Sequence, residues 1–266
     1  MFKTLQNAFK IKDIRKKLLY TLFMLVVIRF GSQLPIPGVD PTFFKAFFEN
    51  TADALGFFNA VTGGSFTNMS VFALSITPYI TSSIIMQLLT IAIPKLEEMH
   101  KDGEDGRKKI AEYTRYLTVG LALFESCAMA VGLGGKGLLL EDHRNIWGYL
   151  TVVAAMTAGS ALLMWIGERI TDNGVGNGIS IVLLINIVSG TPQDMMTLYE
   201  RFMAGRSVAV ATVSGIIVLA IIVAIVVFVL VLNDAERRIP VQYSKKMQGR
   251  RMIGGQSTYI PLKVNT

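Results

Sequence analysis

Residues 208–232 form a run of 25 without one charged side chain. As a helix, at about 1.5 Å per residue, the run is roughly 37 Å long, enough to cross a bilayer core with some tilt. It is apolar on every side, so it needs lipid or a very large core around it. A chain of 266 residues offers no such core, and lipid is the reading. Five further runs follow the same logic. Residues 69–93 and 146–166 are charge-free, residues 116–133 hold one acid, Glu125, and residues 18–36 hold one base, Arg29. Residues 174–188 make a short or tilted span, the weakest of the six. The chain is 52% hydrophobic and 17% charged, against about 25% charged in an average soluble domain.

With the amino terminus placed in the cytoplasm and the spans alternating, 20 of the 26 Lys and Arg fall on inside segments and five outside, Arg29 lying within a span. This matches the bias of basic residues toward the cytoplasmic face. The net charge of +7 is thus a product of topology, and a nucleic-acid-binding role is set aside as the main function. The first span has a basic start but no small-x-small cleavage site, which points to an uncleaved span. One cysteine, Cys127, cannot form an internal disulfide. His100 and His143 fall on opposite sides of the membrane in this topology, so they cannot share a site. No Cys/His cluster and no pair of acids within one span is present, and the glycine-rich stretches at 132–137 and 174–178 lack the spacing of phosphate loops. No catalytic constellation supports an enzyme, and no cofactor is implied.

Residues 41–68 are rich in phenylalanine, hold few charges and contain a Gly63-Gly64 pair. They are too apolar for a water-exposed loop and too broken for a span, which suggests a re-entrant or interfacial segment. Non-helical backbone at membrane depth is tolerated where protein or a water-filled cavity surrounds it, so such a segment implies a cavity or pore. The second run carries Pro78 amid Ser75, Thr77, Thr81, Ser82 and Ser83, the pattern of a kinked helix facing something polar. Residues 94–115 are expected to be a charged, solvated loop. The tail from residue 233 on is basic, with two alternating stretches around a glycine-containing middle, and a hairpin is expected there. Arg29, close to a span end, is expected to snorkel to the interface. Glu125, in mid-span, is too short to do so and is expected to face a cavity or polar partner, or to bind a proton.

Several motifs occur in order along the chain: PIPGVD after the first span, GGSFTNMSVFALSITPYITSSIIMQLLT at 63–90 and DGEDGRKKIAEYTRY at 102–116. GVGNGISIVLLINIVSG follows at 174–190, then ERRIPVQYSKKMQGRRMIGGQSTYIPLKVN at 236–265. Together they resemble the SecY family of protein-conducting channels over nearly the whole chain. The resemblance implies an all-α, polytopic helical bundle of inverted-repeat design, of which the first half and the sixth span are present. Four further spans belong to the family's pattern, so the chain is expected to be an incomplete part of a channel. The organisation so implied is a basic segment 1–17, spans one to five over 18–190, a sixth span at 208–232 and a cytoplasmic loop 233–266.

The resemblance also implies roles for particular residues. Ile76 and Ile80 in the second span, with Ile179 and Leu183 in the fifth, match pore-ring positions. Their i, i+4 spacing puts each pair on one helical face, and an aliphatic constriction can block ions by dewetting. Residues 54–68, with Asn59, Gly63 and Gly64, match a plug that closes the pore from outside. Thr81 and Glu125 match polar positions at a lateral gate between the second and third spans. Arg237, Arg238, Lys245, Lys246, Arg250 and Arg251 match a loop that docks a SecA-type ATPase motor or the ribosome. SecE-like and SecG-like subunits, signal sequences, secretory polypeptides and membrane lipid complete the implied partners. The rival reading, half of a secondary transporter, would call for more intramembrane charge and a polar rather than aliphatic site.

Overall fold

The computed structural model describes residues 9–40, 42, 46, 58–241, 246–248, 251–253 and 258–264. The chain divides into two units, Met1–Pro192 and Gln193–Thr266.

In the first unit, helix α1 (Lys12–Gly31) ends where Ser32 turns back, its backbone N–H and its hydroxyl both donating to Ile28 O. An extended stretch follows, carrying the two prolines and bridging by Pro35 to Ser70 and by Val39 to Leu139. Residues 58–62 make one helical turn and residues 63–76 a succession of buried turns. Helix α2 (Thr77–Ala92) begins only there, with Pro78 in its first turn. This corrects the expectation of a kink in mid-helix. Proline in the first turn sacrifices no helical hydrogen bond, whereas in the interior it would clash with the carbonyl four residues back. Ile93, held extended at φ −109° and ψ 114° by the proline after it, ends the helix, and the chain turns by 102° into α3 (Pro94–Lys101).

Helices α4 (Glu104–Leu133), α5 (Ile146–Asn173) and α6 (Gly178–Phe202) complete the set. Residues 94–115, expected as a loop, are therefore largely helical. Their charged residues are good helix formers, and they pair along the helix: Lys101 Nζ lies 2.6 Å from Glu97 Oε1. That ammonium holds the Glu97 carboxyl below its ordinary range, first by its hydrogen bond and then by its charge. Helix α6 is longer than the short fifth span expected, continuing through Pro192. Among the described residues four helices, α4, α5, α6 and the α7 introduced below, are long and apolar enough to cross a membrane, and five elements are if the bent α2–α3 pair counts as one. Six spans were expected. Helix α1 falls short because Lys12 to Lys17 hold five charges and Arg29 stands near its end, leaving only residues 18–28 uncharged.

Helix α4 packs on both α2 and α5, and α1 packs on α5. Two buried clusters result, and α5 supplies both. Val152 and Met156 join Ile36, Val39, Met69, Leu74, Leu138 and Leu139 in one. Leu163, Ile166 and Ile170 join Ile28, Phe72, Ile76 and Val182 in the other. Small residues on α5 permit these contacts, as expected where lipid offers helices no hydrophobic drive to associate. A Cβ on Gly159 would lie 1.9 Å from Val71 O. Ser126 and Thr157 hydroxyls meet at 2.8 Å between α4 and α5.

In the second unit, α7 (Val208–Asp234) buries none of its residues. The tail forms strands β1 (Glu236–Val241), β2 (Lys246–Gln248), β3 (Arg251–Ile253) and β4 (Thr258–Lys263). β1 pairs antiparallel with β4 from Glu236↔Lys263 to Val241↔Thr258, and β2 with β3 from Lys246↔Ile253 to Gln248↔Arg251. The two ladders share one register.

Candidate functional site

The four aliphatic residues singled out from the sequence meet in one place. Ile76 caps the start of α2 and is wholly buried. Ile80 lies one turn on, its N–H bonded to Ile76 O at 3.2 Å. Both pack in the same cluster as Ile179 and Leu183 of α6. Ile80, Ile179 and Leu183 are half-buried. Gly167 of α5 sits against this group: a Cβ there would lie 2.7 Å from Ile179 Cδ1 and 3.5 Å from Ile76 Cδ1. Gly178, which opens α6, comes close to the Gly167 carbonyl, a contact of 1.9 Å to an added Cβ. Helix α6 is aimed by Asn177, whose side-chain oxygen accepts the N–H groups of Ile179 and Ser180. The second and fifth spans are thereby brought together on the glycine face of the fourth.

The plug-like segment is described from residue 58 onward; residues 54–57 lie outside the described residues. Asn59 ties its two ends, its side-chain oxygen accepting from Thr67 Oγ1 at 2.9 Å and its carbonyl from Gly64 N at 3.1 Å. Gly63 and Gly64 have φ of +63° and +82°, a backbone region that costs glycine least. Gly63 also rests on α6, where a Cβ would lie 2.7 Å from Asn186 O and 2.8 Å from Ser189 Oγ. Arg29 Nη1 donates to Gly63 O at 3.2 Å. Besides any reach to the interface, the guanidinium thus has a fixed acceptor, a carbonyl of a turn that no helix ladder uses.

Thr81 is not among the residues that line the cavity beside Glu125. Thr81 is exposed and donates to Thr77 O of its own helix at 3.1 Å. Glu125, half-buried on α4, lines a cavity of about 360 Å³ whose other walls include Phe58, Thr62, Phe66, Thr77 and Met129. Thr77, one turn before Thr81, is the α2 hydroxyl residue that shares the cavity with Glu125. Arg115 Nε and Glu168 Oε1 form an ion pair at 2.7 Å between α4 and α5.

Of the basic tail residues, Arg237 and Arg238 are exposed on β1, and Arg238 stacks over the Tyr259 ring at 4.7 Å. Lys246 and Arg251 lie on β2 and β3, while Lys245 and Arg250 fall outside the described residues.

These features define a class: a multi-pass helical membrane protein in which two spans converge on an aliphatic cluster next to a glycine-hinged turn. The SecY family model matches residues 70–266. The chain is 42% identical, over its whole length, to the protein translocase subunit SecY of Halalkalibacterium halodurans, covering 62% of that protein. It is 45% identical to that of Streptomyces scabiei, again over its whole length and 62% of the relative. The Pseudomonas aeruginosa subunit is 40% identical over 96% of this chain and 57% of its own. The chain belongs to the SecY family, and it spans about three-fifths of the length of these relatives. Its fold is also that of a solved protein conducting channel, with a TM-score of 0.52 at 18% identity, over 94% of this chain and 52% of that one. Sec61 in the canine ribosome-channel complex from the endoplasmic reticulum aligns with a TM-score of 0.50 at 18% identity, over 85% of this chain and 49% of that one.

Proposed function

We propose that this chain supplies part of the central pore of a Sec translocase in the cytoplasmic membrane, its amino terminus on the cytoplasmic side. Unfolded secretory proteins pass across through the pore, and membrane proteins leave it sideways into lipid. The observation that carries this reading is the convergence of Ile76, Ile80, Ile179 and Leu183 in one cluster, one turn of α6 away from the seat of the Gly63 hinge. Apolar side chains held together exclude water and ions, yet no covalent or polar bond has to break when a polypeptide parts them. In this reading residues 54–68, with Asn59, Gly63 and Gly64, are the plug, and the Glu125 cavity with Thr77 and Thr81 is the inner wall of the lateral gate.

No group in this arrangement supplies energy, so a motor has to dock. The basic hairpin, with Arg237, Arg238, Lys245, Lys246, Arg250 and Arg251, is the surface we assign to a SecA-type ATPase or the ribosome. SecE-like and SecG-like subunits are the expected neighbours of the spans, and signal sequences the ligands of the gate.

The test grafts this chain in place of the matching residues of the Halalkalibacterium halodurans relative, with a photoreactive residue at position 80 and a secretory protein stalled midway. The expected result is a crosslink from position 80 to the stalled chain that disappears when its signal sequence is deleted. A correctly inserted graft with no such crosslink removes the ring and returns the reading to a transporter of small solutes.

A further inference from the structure

We infer that Asn186 is a positioning residue that couples the Gly63 hinge to the ring residue Ile76. The inference rests on the pore reading above for what the ring does, but its geometry stands by itself. Asn186 lies on α6, 2% exposed, in the middle of an apolar stretch. Its Nδ2 donates to Ser75 Oγ at 3.0 Å, across 111 positions of sequence. Its Oδ1 is buried with no hydrogen-bond partner among the described residues. Its backbone carbonyl accepts from Ser189 Oγ at 2.6 Å, and Gly63 rests against that same carbonyl. One residue therefore touches both ends of the turns that run from 63 to 76.

The contact at Ser75 matters because of the backbone there. Ser75 has φ +53°, the left-handed region that residues with a Cβ seldom occupy. It is 1% exposed and immediately precedes Ile76, which is wholly buried in the ring cluster. An unfavourable conformation persists where its surroundings over-determine it, and Asn186 is the polar side chain that grips this one. Losing the grip frees Ser75 to leave the left-handed region, and Ile76, the next residue, moves with it. The same α6 residue seats Gly63, which Arg29 holds from the other side through its carbonyl. A displacement of the plug away from α6 thus disturbs the residue that fixes the turn under Ile76. The sequence offered one signal for this, a lone amide within LLINIV; it had no means to name the partner.

The experiment is hydrogen exchange on the full chain in lipid nanodiscs, with no translocating polypeptide present, so it reads independently of the crosslink from position 80. Asn186→Leu removes the hydrogen bond and leaves an apolar side chain of similar size. The expected result is exchange of the amides of residues 70–76 faster by about tenfold, the worth of one buried hydrogen bond, with α4 and α5 little changed. Adding Ser75→Gly should restore slow exchange, since glycine takes the left-handed turn without needing a grip. Unchanged exchange at 70–76 overturns the inference. So does an equal rise across α4 and α5, which would mean a general loss of packing, or a failure of Ser75→Gly to restore. If Asn186→Leu does not insert, Ser75→Val carries the test with Asn186 in place. A branched side chain resists the left-handed turn, so exchange at 70–76 should rise as before, and no rise overturns the inference.

Discussion

Residues 69–93 and residues 208–232 are each 25 long and free of charge, yet they end as different objects. The second becomes one uninterrupted helix, α7, which buries no residue. The first becomes a helix of 16 residues preceded by eight residues in buried turns. Residues 69, 70 and 72–76 in that lead-in are all buried, and Met69 and Ser75 both have positive φ. The difference follows from what each run must satisfy. In α7 the backbone groups away from the two ends bond within the helix, the cheapest arrangement in lipid, and side-chain identity is nearly free so long as it is apolar. In 69–76 the backbone bonds outward instead. Val71 N–H reaches Leu34 O, Met69 O receives Ile36 N–H and Ser70 bridges to Pro35. Irregular backbone is affordable there because protein, not lipid, surrounds it. Apolarity in a membrane chain therefore says where lipid is tolerated, while serine, glycine, proline and asparagine within an apolar run say where protein is required.

The sharpest test of that contrast is a charge at the centre of α7. Ile221→Arg should cost insertion about 2.5–3.5 kcal/mol, read by a glycosylation-site reporter placed after the helix. Insertion at the parent level would mean that α7 has partners that shelter a charge. Next in size is Gly159→Val, which forces a methyl-bearing carbon into the 1.9 Å approach of Val71 O. A loss of about 1–3 kcal/mol in unfolding free energy is expected, measured in mixed micelles by denaturant titration. A neutral result would show that the turns of 69–76 are not pinned by α5. Arg29→Met, which withdraws the hydrogen bond to Gly63 O while keeping the apolar stem, should cost about 1.5 kcal/mol on the same assay. The smallest effect belongs to Val223→Ile in α7, within about 0.5 kcal/mol, since nothing there is packed to a fixed shape. A larger penalty would put α7 in the same category as the first run.

Much of the architecture was legible from residue order. The runs at 116–133, 146–166 and 208–232 all lie within helices long enough to cross, because a lipid-facing helix needs little beyond length and apolarity. The alternating tail forms the strands expected of it. The errors share a cause. Charged residues 94–115 were read as a loop because polarity suggests solvent, but Glu, Lys and Arg pair along helices as readily as they face water. Pro78 suggests a kink only if the run is helical throughout, and the turn at Ser75 depends on partners at 34–36 and 186 that no local pattern names. The acceptor of Arg29, Gly63 O, is 34 residues away and likewise has no local signature. That Thr77 shares a cavity with Glu125 depends on where α2 starts, which the motifs do not show.

The sequence by itself determined that this is a membrane chain, where its longest apolar helices run and, through its ordered motifs, which family it belongs to. Those properties are sums over local terms, and a sum can be read along the chain. The tertiary structure alone decided that Ile76, Ile80, Ile179 and Leu183 share one cluster, that the Gly63 turn leans on α6, and that Ser75 is held by Asn186. Each of these depends on a close approach between residues far apart in the chain, set by a missing side chain or a single hydrogen bond. Such an approach has no signature in either partner until the helices have packed.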